Sequence, residues 1–569
     1  MKNAVDAGPP AKDSVLPDFE GIERALCDFE AEERRRLGLD DDVDHWNDPN
    51  PRRFTKDQRD HTTLLFGGLT TMHDALIEAG LASLGYRARA LDCPDNESLQ
   101  FGKEFGNRAQ CNPTYFTVGN LLKYLTRLRD EEGLSAEEIV GNNILLTVGA
   151  CGPCRFGTYV TEFRKVLRDA GFAGFRVFDI REFGQHKRRP EAAGLELDAR
   201  FAVTFFKCLA AGDVVNALAY RTRPYEVVAG ATDAALEDCR AILCRAIGER
   251  RSLLRALRRC RDVFAKVEVD RLRPKPKVAL IGEFWAMTTE GEGNYQLQRF
   301  LEAEGAECEI QMITTWALYE IWENAFDIRE RMLLRRRDGE RYRNESRAPV
   351  KTLILLWLAR IVLERMFYSF AHAVGLKHYR LPDMDHIARI SHDLYPNQLR
   401  GGEGHMEVGK VIDAVTRKKA HMVLSVKPFG CMPSSGVSDG IQSLVAARYP
   451  ESNFCPIETT GDGAVNVYSR VQMALFRARA AAEKEYEEAL AAAGLSAEEA
   501  ARKAAVDERL GTALHYPKHV VAGTAANAVH ELARRAGPRR AGWPFLFGPS
   551  PGRSALVADD GGRGAIPPP

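Results

Sequence analysis

The chain has 569 residues, 45% hydrophobic and 28% charged, the balance of a water-soluble globular protein with room for about two to four domains. Lys+Arg and Asp+Glu both total 79, so the basic excess that marks a nucleic-acid or polyanion partner is missing. No apolar signal-peptide core occurs between Met1 and Pro17; a cytoplasmic chain is expected, whose 12 cysteines point to metal or catalysis before disulfides.

Residues 1–60 form a polar extension, in which Glu32–Val43 reads as a solvated helix and its exit. A first α/β lobe is expected over 61–195. A short β-prone run, Thr62–Leu65, leads into Gly67-Gly68 and a helix over Met72–Ala82. A strand at Tyr86–Leu91, a Gly-containing loop and a helix over Tyr115–Leu128 follow. Asn143–Val148 is a nearly continuous apolar run, as in a strand buried on both faces. A helix over Tyr159–Ala170 and a strand at Phe175–Phe178 complete the alternation. Residues 196–270 read as a helical block, ended by the basic connector Arg271–Lys277.

The second α/β lobe is expected over 271–500. Strands fall at Val278–Ile281, Glu307–Met312, Met422–Val426 and Phe454–Ile457. Helices fall at Tyr295–Glu304, near Val437–Ala447 and over Val465–Ala493, with a helical insertion at 316–376. Within it, Thr352–Val374 is the most hydrophobic stretch of the chain. Its Arg360, Glu364 and Arg365 would be costly in a bilayer, so it reads as a buried helix and no membrane partner is expected. Residues 501–569 read as a tail, disordered after about 538. The fold class is therefore α/β: two lobes with parallel, flavodoxin- or Rossmann-like sheets around a central crevice, plus helical blocks. Ligands in such sheets sit beyond the carboxyl ends of the strands.

Three cysteine motifs sit at such ends or at helix starts: Cys111-Asn-Pro, Cys151-Gly-Pro-Cys154, and Cys431 in Lys427-Pro-Phe-Gly-Cys-Met-Pro433. Helix N-termini and adjacent glycines, here Gly152 and Gly430, present N–H groups that stabilise thiolate and sulfide charge. Arg155 beside Cys154 could stabilise an anionic cluster or ligand, and Arg108 is a weaker version of the same idea. Thiolates suit iron–sulfur or zinc. One Cys-x-x-Cys with distant single partners fits a cluster in a crevice better than a zinc knuckle, while a zinc site, a redox dithiol and plain packing stay open. Cys27, Cys208, Cys239, Cys244, Cys260 and Cys308 lie in bland helix or strand patterns. Cys93 and Cys455 lie at strand ends as further ligand candidates, against a reading as packing residues.

The loop Glu283–Asn294 could hold a phosphate or a CoA moiety, with Glu283, Glu290 and Glu292 as acid or base candidates. A Gly-rich turn lining the crevice is the plainer reading. In Gly401-Gly-Glu-Gly-His-Met-Glu407, His405 could donate to a sulfide or a carbonyl. The turn Gly461-Asp-Gly463 could face the same crevice.

Four segments, Gly149-Ala-Cys-Gly-Pro-Cys-Arg-Phe-Gly157, Gly102–Pro113, Gly282–Ala286 with Thr288–Asn294, and Lys427–Pro433, resemble the 2-hydroxyacyl-CoA dehydratase activase-related proteins. That group is similar to the cluster-bearing subunits of 2-hydroxyacyl-CoA dehydratases and benzoyl-CoA reductases, and to double-cubane cluster proteins. The resemblance covers residues 60–480. It implies a [4Fe–4S] cluster on Cys111, Cys154 and Cys431, with Cys151 as a fourth candidate, and a double-cubane cluster as a variant. It also implies low-potential electrons from a separate ATP-hydrolysing activase, an acyl-CoA substrate, radical dehydration or reduction, and a homodimer. A non-catalytic electron-transfer or cluster-delivery partner is the alternative. The activase itself needs an Asp-x-Gly-Ser/Thr phosphate loop, which this sequence lacks, so ATP hydrolysis is assigned to another protein.

Overall fold

The computed structural model describes residues 19–37, 51, 53–149, 154–180, 194–338, 349–399 and 402–536. Residues 1–50 and 51–569 are separate units. In the first, Phe19–Arg36 is a helix with Leu26 and Phe29 exposed. Everything below concerns the second. Cys151, Gly152 and the segment after 536 lie outside the described residues.

The second unit is mixed α/β with two four-stranded parallel sheets. The first contains β1 (Thr63–Phe66), β2 (Arg87–Ala90), β3 (Asn143–Thr147) and β4 (Arg176–Asp179), in the order β2-β1-β3-β4. The second contains β5 (Lys277–Gly282), β6 (Glu307–Ile310), β7 (Met422–Pro428) and β8 (Phe454–Thr459), in the order β6-β5-β7-β8. The two orders match: the first strand of each sheet lies beside the second and the third. β5 and β7 are buried along their whole length, as expected for parallel strands covered on both faces.

The helix Ala199–Thr222 lies at the centre, buried from Cys208 to Tyr220. One buried apolar cluster runs from Leu64 and Leu76, through Val214 and Val215 of this helix, to Leu280 and Leu424. Asp213 on it accepts hydrogen bonds from the backbone of Ile313 at 2.9 Å and Thr314 at 2.6 Å. It also lies 3.2 Å from His73 Nε2. These contacts tie helices from both sheets to one buried carboxylate. The span Ala199–Tyr225 has the length and hydropathy of a membrane helix, but two-thirds of its apolar window is buried (67%), as in the core helix of a soluble protein.

Several elements differ from expectation for local reasons. The segment after β2, read as a loop, forms the helix Asn96–Phe105, started by the reciprocal capping box of Asp95 and Ser98. The next helix begins at Asn112, with Pro113 in its first turn, where a missing N–H costs nothing. The helix expected from Tyr295 begins at Leu297, because Tyr295 and Gln296 take left-handed backbone angles. Residues 316–376 divide into Ile313–Asp338 and Pro349–Val374. The second of these is buried in its C-terminal half, and its N-terminal half carries exposed large apolar residues. The region 501–536 holds the end of a helix capped by Ser496 and Glu499, and a further helix, Thr524–Ala536.

A candidate thiol site at three helix starts

Cys111, Cys154 and Cys431 share one local structure. Each is the residue immediately before a helical segment: Asn112–Asp130, the 3-10 turn Arg155–Thr158, and Met432–Ser435. Each has extended backbone angles, as N-cap residues do. None closes a full cap hydrogen bond. The backbone N–H groups of Thr114, Phe156 and Ser434 nevertheless act on the three sulfurs in the sense that favours thiolate. This is the anion-seeking end of a helix, repeated three times.

Direct contacts join the three segments. Asn112 N–H donates to the carbonyl of Phe429 at 3.0 Å, which links the Cys111 helix to the loop carrying Cys431. Gly430 makes that approach possible. Its φ is +76°, and a Cβ there would lie 3.2 Å from the Cα of Cys111. Arg155 donates to the carbonyl of Ala109, joining the Cys154 turn to the segment before Cys111. Tyr159, in the helix after Cys154, places its hydroxyl 3.0 Å from Cys111 Sγ, and Thr114 Oγ1 lies 3.1 Å from the same sulfur.

The charges facing the thiols are carboxylates. Glu283 raises all three thiol pKa values, Glu403 adds to the effect at Cys154, and Glu407 adds at Cys431. Burial is the larger cause in each case. It pushes Cys154 up to about 12 and moves Cys111 and Cys431 in the same direction. Burial also lifts the carboxyls: Glu407 to about 7, Glu403 well above the usual range, and Glu283 upward. Glu407 accepts a 2.8 Å hydrogen bond from Ser434, and its second oxygen, Oε2, is buried without a hydrogen-bond partner among the described residues.

The thiols are therefore held neutral unless a cation enters, and the protons for neutral carboxyls sit beside them. Three soft sulfur donors suit iron or zinc, either of which would displace the thiol protons. Among the described residues no three of His, Cys, Asp and Glu lie close enough to hold one ion.

The remaining candidates lie as follows. Glu283 caps the short helix Phe284–Thr288, accepting from Ala286 N–H at 2.8 Å. Glu290 accepts from Thr71 N–H at 2.8 Å and Thr71 Oγ1 at 2.6 Å. Glu292 accepts from Asn96 N–H at 2.6 Å. Both carboxylates of the second sheet's loop thus sit at helix starts of the first. His405 is buried between Tyr319 and Trp322, with ring centroids 5.1 Å and 4.9 Å away. Burial holds its pKa down at about 4, and Nε2 has no hydrogen-bond partner among the described residues. Arg108 is exposed.

Cys93 lines a separate cavity of about 570 Å³ together with Thr71, Asp74, Glu78 and Arg240. Cys455 is buried on β8. The turn Gly461–Gly463 is held by the Tyr295 hydroxyl, which accepts from the N–H groups of Thr460, Gly461 and Gly463 at 2.8–3.2 Å. Sequence reasoning missed Glu403 and Glu407 as members of the thiol site. Their signal is the acidic Gly-rich segment around His405, in which only the histidine drew notice. No protein-family model and no curated protein matches the chain.

Proposed function

We propose that the chain is an iron–sulfur protein in which Cys111, Cys154 and Cys431 hold a [4Fe–4S] cluster. Two flavodoxin-like lobes frame the crevice that holds it. The observation that carries this reading is the threefold repetition of a cysteine at a helix start, from three distant segments that touch one another. Hydrogen-bonding N–H groups beside each sulfur suit bound thiolate. When bound, such a cluster supplies low-potential single-electron chemistry. The resemblance described above extends the reading to a component of a 2-hydroxyacyl-CoA dehydratase type of system. A separate ATP-dependent activase delivers the electrons, and a small acyl-CoA is dehydrated or reduced.

The chain's own residues support catalysis over simple electron carriage. Glu403 and Glu407 are buried carboxyls held up by burial, Glu403 well above the usual carboxylate range and Glu407 to about 7, so both can carry a proton near neutral pH. A departing hydroxide needs such a proton. Pure carriage needs none. The test is electron paramagnetic resonance of the reduced protein with and without an acyl-CoA. A signal changed by acyl-CoA, and not by CoA-free acid, is the expected result. A signal indifferent to every acyl-CoA tried assigns the chain to electron carriage.

A further inference from the structure

The cavity of about 570 Å³ that Cys93 lines is bounded by the helix Thr71–Ser83, by β2 with the turn after it, and by the helix Ala231–Gly248. None of its lining residues belongs to the thiol site. Small side chains make the room: Ala75 and Ala79 on the first helix, Ala88 and Ala90 on β2, and Ala241 on the second helix. The volume falls within the roughly 300–1,000 Å³ of small-molecule pockets.

Four carboxyl groups line the cavity, Asp74, Glu78, Asp92 and Glu237, against one guanidinium, Arg240. Arg240 lies 2.6 Å from Glu237 Oε1, so its charge is already matched. Glu78 accepts from Ala90 N–H at 2.8 Å. Asp74 differs from both. It is 9% exposed, and its Oδ1 is buried with no hydrogen-bond partner among the described residues. The N–H groups of Gly68 and Leu69 and the neighbouring His73 favour its charged form, but burial outweighs them. A buried acceptor left open costs a folded protein free energy and calls for an occupant that donates to it.

The excess of carboxyls draws a cation and repels an anion. The N-terminus of the helix Thr71–Ser83, where an anion would otherwise sit, is taken by Glu290. A CoA with its phosphates therefore finds no seat here. A metal ion is the poorer fit, because among the described residues no three of His, Cys, Asp and Glu lie close enough to hold one. One open oxygen suits the point charge of an ammonium better than the two-pronged fork of a guanidinium. We propose that this cavity binds a primary organic ammonium, its nitrogen on Asp74 Oδ1 and its apolar body against the alanine wall.

The test is isothermal titration calorimetry of the full-length chain with three probes of one shape: 2-phenylethylamine, 2-phenylethanol and 3-phenylpropionate. The amine is expected to bind saturably, at least about tenfold more tightly than the alcohol or the acid. Asp74→Asn should weaken the amine by about tenfold or more, with far-ultraviolet dichroism unchanged and the thermal midpoint not lowered. Ala241→Phe, at an exposed position of the wall, should fill the cavity and abolish binding without loss of fold. It tests the proposal independently should Asp74→Asn fail to fold. No saturable binding of the amine up to about 10 mM overturns the proposal and leaves the cavity to water. An alcohol or acid that binds as tightly as the amine overturns it too, as does amine affinity that survives either substitution.

Discussion

Each of the three N-cap cysteines is expected to matter to the same property. Cys154→Ala and Cys431→Ala should each abolish most of the bound iron. Cys93→Ala and Cys455→Ala should leave it unchanged, because Cys93 has Glu290 and Asp74 as its charged neighbours and Cys455 has Arg470 and Arg477. Iron analysis of the four purified variants decides between them. Away from the thiols, Asp74 makes a second prediction. Burial raises its pKa to about 7 from 3.8, against the opposing pull of His73 and the N–H groups of Leu69 and Gly68. Between those two pH values the folded chain holds a proton that the unfolded chain has released. Stability therefore falls as pH rises across that window, by on the order of a few kcal/mol, and levels off above it. Asp74→Asn should flatten this part of the curve, as read by urea unfolding at pH 5 and pH 8. An unchanged slope would mean that Asp74 is ionised in both states. Asp74 was not singled out in the sequence: its burial comes from packing of the Gly67-Gly68 turn and the helix after it. A carboxyl four residues into a helix looks like an ordinary first-turn acid.

At the scale of elements, the loop Glu290-Gly291-Glu292 clamps one sheet's helices to the other's loop. Glu290 occupies the start of the helix Thr71–Ser83, and Glu292 that of Asn96–Phe105. Glu290→Ala should cost about 1 kcal/mol, the usual worth of a helix cap. Gly291→Ala should cost more, ~1–3 kcal/mol, because a Cβ there would sit 2.3 Å from the carbonyl of Pro94 and 2.9 Å from Cys93 Sγ. Denaturant titration ranks the two, and the reverse order would show that the clamp is electrostatic and not steric. The strands were legible because nearly continuous apolar runs such as Asn143–Val148 and Met422–Val426 are short and bounded by turn residues, as in strands buried on both faces. The three cysteine-bearing helix starts were legible from a proline within two residues of each cysteine, Pro113, Pro153 and Pro433. The clamp was not. Glu290 and Glu292 read as acids of a surface loop, since nothing in their own segment reveals that Thr71 and Asn96, some two hundred residues earlier, await a carboxylate. The exposed N-terminal half of Pro349–Val374 escaped for a related reason: hydropathy reports how apolar a segment is, not which part of it finds a neighbour.

At the scale of the molecule, two sheets of matching strand order share one apolar cluster through the helix Ala199–Thr222. The cysteine-bearing turns proposed as ligands then lie near strand ends or helix starts, where parallel sheets leave backbone groups and side chains available. The mixed α/β class and the parallel pairing followed from strand–helix alternation alone. The central helix was readable only as part of a helical block, because its role depends on both faces being buried at once. The central claim is that sulfurs from both sheets hold one cluster, and the most direct test is anaerobic purification with counts of iron, zinc and acid-labile sulfide. The expected result is about four irons and as many sulfides per chain, both lost in Cys154→Ala and in Cys431→Ala. Zinc bound without sulfide, or iron retained when both cysteines are replaced, would contradict it.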